Sequence, residues 1–312
     1  LAEFWADGVD SETPPGHWFE IYHYASSKPE FELFWNGSEM LDTLEFEIKA
    51  HFDMGCAMHD AAIAAWSIKG YYDYVRPISA IRFMCEMGQS TDSTLTNYNP
   101  LGIELIDGFI EVVQVGDPLA GLFNENVGKI KLFTWLGPTM ISNPETDAAG
   151  VGWMLGENWW PYQRPSFVTP PFAGYVSGHS TFSRAAAEVM TFITGDPYFP
   201  GGMSSFIADE NEFLEFEEGP STDVVLEWAT YRDASDQCSL SRIWGGIHPP
   251  VDDINGRLIG LDIGVDVSAK ADSIFSKPIL KVDSVLSNFS IVNISSIGQN
   301  LKLQVYFSED MN

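Results

Sequence analysis

Positive charge is what this sequence has least of. Sixteen Lys and Arg stand against 44 Asp and Glu, a formal net charge of −28. Such a surface repels phosphate backbones and anionic headgroups, which excludes nucleic acid as a partner and argues against a membrane-surface role. The same self-repulsion keeps the protein soluble and suits a salty or extracellular medium. Cysteine is nearly missing too. Cys56, Cys85 and Cys238 have neither metal-ligand spacing nor a paired framework, so they are expected to be small buried hydrophobes. No stretch of about 18 uncharged apolar residues occurs, so no membrane span is expected. Residue 1 is Leu and no basic-then-apolar leader follows it, so the chain reads as a trimmed part of a longer secreted or periplasmic protein. No internal repeat is visible. What is there is 312 residues with ten Trp and 45% hydrophobic content, enough to bury one large core or two domains.

Apolar residues recur at three and four positions from about 44 to 86, and an Ala-rich middle favours a helix there. A second helix is expected over STFSRAAAEVMTFITG, with Ser180 and Thr181 as caps and Gly195 as its end. Regions 100–136 and 222–235 also read as helical. Between them lie long stretches rich in Pro, Gly, Asn and aromatics, at 137–176 and 196–221, a length that tends to carry function. From about residue 276 short β-branched runs alternate with Ser, Asn and Gly, which reads as strands. The expected organisation is an all-α body over 1–275 and a β-rich tail over 276–312, the start of a β module.

With so few cations, their positions matter. Lys69 and Arg76 lie seven apart, close to two helical turns, so both are expected on one helix face. Pro77 disfavours helical geometry at Arg76, which predicts that the helix ends there. Taken alone, this is a solvated basic face paired with Asp73. Ser177-Gly178-His179-Ser180 leads from a Pro-rich loop into the Ala-rich helix. Backbone N–H groups at a helix start, beside a glycine, make an anion site, and the histidine can exchange a proton near neutral pH. Ser241, Arg242, Gly246 and His248 follow, with Asp252 four residues on. A guanidinium forks onto two oxygens of a tetrahedral oxyanion, while the imidazole attacks or coordinates its central atom. Asp252 is placed to hold the far nitrogen of His248 and fix its tautomer. All three places are expected to converge on one pocket.

Lys69-(six residues)-Arg76-Pro77, Ser177-Gly178-His179 and Ser241-Arg242-(three residues)-Gly246-(one residue)-His248 together resemble the three-part signature of the vanadium-dependent haloperoxidases and the type 2 phosphatidic acid phosphatase superfamily. The parts come in that family's order across about 180 residues. FWADG at 4–8, SETPPGHW at 11–18 and ENWWPYQRP at 157–165 resemble its large soluble bacterial haloperoxidase branch. One departure is Val176, where the family's second motif usually starts with proline.

The resemblance implies a helical bundle that holds an oxyanion, vanadate or phosphate, between its helices. Lys69, Arg76 and Arg242 would neutralise equatorial oxygens, and Ser177 Oγ with the Gly178 N–H would bond the others. His248, backed by Asp252, would be the axial ligand to vanadium or the nucleophile of a phosphatase, and His179 the acid–base group. The implied activity is oxidation of halide by hydrogen peroxide to hypohalous acid, which halogenates a small organic acceptor. Two alternatives stay open. One is a soluble acid phosphatase acting through a phosphohistidine; the other is a non-catalytic anion-binding or cell-surface protein. Outside the signature, His51 and His59 are eight apart and badly placed to share a metal. His17 reads as part of a packed turn, Arg164 as a salt-bridge residue, and the acidic run at 212–219 as solvated.

Overall fold

A computed structural model describes residues 1–7 and 12–276, together with the backbone of strands 282–287 and 303–307. The chain divides into two compact units, Leu1–Ala269 and Lys270–Asn312. Six α-helices are described: α1 (Pro14–Ser26), α2 (Thr43–Tyr72), α3 (Pro77–Met87), α4 (Gly178–Thr194), α5 (Tyr231–Trp244) and α6 (Pro250–Phe275). None is long and apolar enough to cross a membrane among the described residues.

The helix expected over 44–86 is two helices. Asp42 caps the start of α2 by accepting from the Glu45 N–H at 2.9 Å. The helix stops at Tyr72, because Asp73 turns left-handed (φ 44°, ψ 46°). Arg76 is extended (φ −81°, ψ 151°), and Pro77 behind it opens α3 as its first residue. Pro77 thus starts a helix instead of only ending one. Lys69 and Arg76 consequently do not share a helix face: one sits in the last turn of α2, the other at the mouth of α3.

The centre of the first unit is α4, buried on nearly every side through Ala185, Ala186, Ala187, Val189, Met190 and Ile193. It packs most heavily against α5 and α2, then α1. Its cap is Ser177, not Ser180 or Thr181, and Gly195 at φ 70° ends it as expected. The approach of α6 is closest of all. Gly256, Gly260 and Gly264, one turn apart, lie against carbonyls of Ser177, Thr181 and Ala185; an added Cβ would meet those oxygens at 2.9, 2.4 and 2.5 Å. Only glycine admits backbone at that range.

Two further expectations are corrected. Region 100–136 is not helical. It carries turns and the strands β3 (Ile110–Val112) and β4 (Ile130–Trp135), which pair antiparallel with each other and, through β4, with β5 (Val151–Leu155). (The short hairpin β1, Phe34–Trp35, and β2, Glu39–Met40, precedes α2.) Gly108, Gly116, Gly121 and Gly128, all at positive φ, break any helical period there. Ile130 and Leu132, two apart on β4, bury one strand face against Cys85, Ile103 and Trp159. Region 222–235 is half strand and half helix. Val224–Trp228 forms β7, paired with β6 (Ser204–Ala208), before the Thr230–Asp233 capping box starts α5. In the second unit β8 (Val282–Ser287) pairs antiparallel with β9 (Leu303–Phe307). The rest of the strands expected in the tail lies outside the described residues.

Candidate functional site

Lys69 and Arg76 are buried, at 2% and 6% exposure, so neither belongs to a solvated face paired with Asp73. Both reach across to the loop that precedes α4. Lys69 Nζ donates to the carbonyls of Ala173 and Gly174 at 2.9 and 2.7 Å. Arg76 donates through Nε to Phe172 O at 2.9 Å and through Nη2 to Ala173 O at 3.3 Å. The loop comes this near because Gly174 has no side chain: a Cβ there would lie 3.0 Å from Asp252 Oδ2 and 3.3 Å from Val75 O. Val176, the departure from the usual proline, is fully buried, so packing holds the loop.

His248 lies in the tight connection between α5 and α6. Its Nδ1 meets Asp252 Oδ2 at 2.7 Å, and its Nε2 meets Arg76 Nη1 at 3.1 Å. A guanidinium only donates, so Nε2 offers its lone pair and the ring proton is on Nδ1. The tautomer expected from Asp252 is therefore the one present. Ser177 joins this group through its backbone N–H, which donates to Asp252 O at 3.0 Å. Its Oγ accepts from the Ser180 N–H at 3.3 Å as the cap, leaving the hydroxyl proton for a ligand. Gly178 opens α4, where the backbone N–H groups and helix dipole favour an anion.

Arg242 and His179 are tied down by the first seven residues. Arg242, 1% exposed, donates to Ala2 O at 2.6 Å and to Ser241 Oγ at 3.0 Å. His179 Nε2 donates to Trp5 O at 2.9 Å, and Asp7 Oδ1 stands 3.6 Å from the same nitrogen. These partners are carbonyls, which carry no residue signature. No residue type in the sequence gives them away, although FWADG at 4–8 points to the segment.

The three sequence-separated places do come together. Burial is the main reason His248 is held well below the usual imidazole range, and Arg76, Lys69, His179 and Arg242 all add to it through space. His179 is held down likewise, first by burial and then by Arg242. Both rings are thus neutral. Burial pushes Lys69 down to about 7 and Arg76 to about 10, each cation losing charge preference in a dry site. Burial pushes Asp252 up to about 6, opposed by Lys69 and Arg76.

Among the described residues none of these three cations forms a salt bridge with a carboxylate. Asp252 Oδ1 is buried with no hydrogen-bond partner. Three buried cations answered only through space by Asp252 and Asp7 are a costly arrangement unless an anion joins them. A compact, multiply charged oxyanion suits that donor set: two guanidinium forks, an ammonium, a hydroxyl, helix N–H groups and one imidazole lone pair.

Other singled-out residues lie elsewhere. His51 meets His23, with 3.3 Å between their Nε2 atoms, and His59 contacts Asp60. His17 is on α1, not in a turn, with its ring edge-on to Trp5. Arg164 pairs with Glu215. The acidic run at 212–219 is only partly solvated, since Glu217 accepts from Trp135 Nε1 at 3.1 Å and from the Ala149 N–H at 2.8 Å. Cys85 and Cys238 are buried and Cys56 half-buried, all as free thiols.

Comparison with known proteins bears on the fold that carries these residues. Residues 49–100 and 122–277 match the family model of the VCPO second helical-bundle domain. A holo-type bacterial vanadium-dependent chloroperoxidase superposes with a TM-score of 0.53 at 17% identity, covering 84% of this chain and 41% of that one. A bacterial vanadium-dependent iodoperoxidase is 22% identical with a TM-score of 0.46, covering 86% and 42%. Only the first superposition is close enough to bear on the fold. The chain spans less than half the length of either protein. No curated protein matches it.

Proposed function

Because this chain belongs to the family of the VCPO second helical-bundle domain, within the vanadium haloperoxidase superfamily, we propose that its buried cation cluster binds vanadate and that the protein oxidises halide with hydrogen peroxide. The observation that carries this is the set of Lys69, Arg76 and Arg242, buried without a carboxylate salt bridge among the described residues, around an imidazole whose Nε2 lone pair faces Arg76.

In this reading Lys69, Arg76, Arg242, Ser177 Oγ and the Gly178 N–H would bond the oxyanion's oxygens, and His248 Nε2 would hold its central atom. Bound vanadate supplies Lewis-acid activation of peroxide. Asp252 keeps the His248 proton on Nδ1, so that Nε2 stays a ligand, and Arg76 turns from His248 to the anion. His179, neutral with its proton on Nε2, moves protons at the peroxide. Its ring is fixed through Trp5 O, a bond it must exchange or keep as its proton shifts. The products are hypohalous acid and water, and a small organic molecule accepts the halogen.

The test is oxidation of a phenolic indicator by peroxide with bromide or iodide, on protein stripped of metal and then given orthovanadate. Activity that appears with vanadate and is suppressed by excess phosphate supports the proposal. Hydrolysis of a phosphomonoester, inhibited by vanadate and without halide oxidation, makes the protein a phosphatase. Inactivity in both assays leaves an anion-binding protein.

A further inference from the structure

The segment that fixes His179 also walls a second space. Trp5, Ala6 and Asp7 line a cavity of about 500 Å³. Aromatic rings form much of the remaining wall. Phe4 packs against Phe206 with centroids 4.7 Å apart and against Trp228 at 5.6 Å, and Phe206 meets Phe213 edge-on at 5.4 Å. Phe206, Phe213 and Trp228 come from β6, the loop that follows it and β7, while Phe4 comes from the N-terminal segment.

The polar part of the wall has one sign. Glu3, Asp7, Glu12, Glu20 and Glu215 line the cavity, against a single cation, Arg164. Arg164 is already spent on Glu215 and sits over the Phe216 ring at 5.3 Å. Glu3 is occupied as well, accepting from Tyr162 Oη at 2.6 Å and from the backbone N–H groups of Glu215 and Phe216. Glu12 and Glu20 form no salt bridge among the described residues, and the only one made by Asp7 is its 3.6 Å approach to the neutral His179. The Asp7 side chain remains 31% exposed. His17 lines the same wall and adds no charge, because burial holds it down to about 4.

Aromatic faces with unpaired carboxylates favour one ligand class. The negative face of each ring attracts a cation, the carboxylates do the same, and both reject an anion. We propose that this cavity binds a protonated aromatic amine, its ring against Phe206, Phe213 and Trp228 and its ammonium among Asp7, Glu12 and Glu20, and that this amine is the organic acceptor of the halogen. The binding stands on the cavity alone, while the amine's role as acceptor rests on the haloperoxidase reading. In the transfer a ring carbon's π pair takes the halogen from hypohalous acid. The O–X bond breaks, and the displaced hydroxide leaves as water with the ring proton. Asp7 lines the cavity and its Oδ1 also stands 3.6 Å from His179 Nε2, so the amine waits beside a group that His179 approaches.

Isothermal titration of the full chain with tryptamine, indole and indole-3-acetate at pH 7.5, without vanadate, halide or peroxide, tests the binding. Tryptamine is expected to bind about tenfold more tightly than indole. Indole-3-acetate is expected to give no measurable heat. Phe213→Ala and Glu20→Gln, each checked by circular dichroism for unchanged helix content, are expected to weaken tryptamine by about threefold or more. Absence of tryptamine binding, equal binding of indole-3-acetate, or affinity unchanged in both variants overturns the proposal. Since vanadate chemistry takes no part in the titration, its failure leaves the halide assay to stand or fall separately.

Discussion

At the scale of single residues, His248→Ala is expected to abolish vanadate binding and turnover, because among the described residues no other imidazole lone pair faces Arg76; calorimetric titration with vanadate and the halide assay both check it, and retained activity would end the assignment. Lys69, Arg76, His179, Arg242, His248 and Asp252 were all legible by type and spacing, and the His248–Asp252 bond at 2.7 Å is the arrangement their four-residue separation suggested. The carbonyls of Ala2, Trp5, Ala173 and Gly174 were not legible, since any residue supplies a carbonyl. Lys69 gives a pH signature. Its folded pKa, about 7, lies far below its unfolded value, so the folded protein binds fewer protons than the unfolded chain at pH values between the two, and folding stability attributable to this group rises with pH across that window. An anion binds the protonated form, so affinity runs the other way and falls as pH rises past about 7. Sulfate, whose charge is constant in that range, is the suitable probe. Lys69→Arg is expected to carry the plateau of sulfate affinity to higher pH, and an unshifted profile would show that Lys69 is not the titrating group.

Among elements, periodicity found α2 and α4 but misread where cations sit on them. Two helices meeting at Asp73–Arg76 bring Lys69 and Arg76 in from different directions, and Pro77 is the local cause. Region 100–136 failed for a related reason: its apolar residues suggest a helix, while glycines at positive φ commit the backbone to turns. The least legible element feature was the α6 glycine stripe, whose partner surface lies some 80 residues away in sequence. Gly260→Ala places a methyl 2.4 Å from Thr181 O, and overpacking of this kind is expected to cost about 2 kcal/mol in denaturant unfolding. Gly55→Ala supplies the contrast. Gly55 lies within α2 with nothing within 4 Å of an added Cβ, so the same substitution there is expected to stabilise by roughly 0.5–1 kcal/mol. Equal effects at the two sites would show that propensity, not the approach of α6 to α4, sets the cost.

For the whole molecule, a net charge of −28 surrounds a cluster built to attract anions. In the proposed reaction, halide would have to cross a repulsive field before it met the cations. Raising ionic strength with sodium nitrate from about 10 to 200 mM, which shortens the Debye length from about 30 Å to under 10 Å, is expected to raise kcat/KM for bromide a few-fold. A falling value would mean that the buried cations, not the acidic surface, govern approach. The contact from Arg242 to Ala2 spans 240 positions, and the one from His179 to Trp5 spans 174. Such contacts join distant parts of the chain, so it is the folded chain that presents the whole cluster. Oxyanion binding and folding are then linked equilibria. Oxyanion at a hundred times its dissociation constant would raise the unfolding free energy by about 2.7 kcal/mol. A melting curve becomes a binding isotherm for this protein, and a cell poor in oxyanion would hold less of the folded chain.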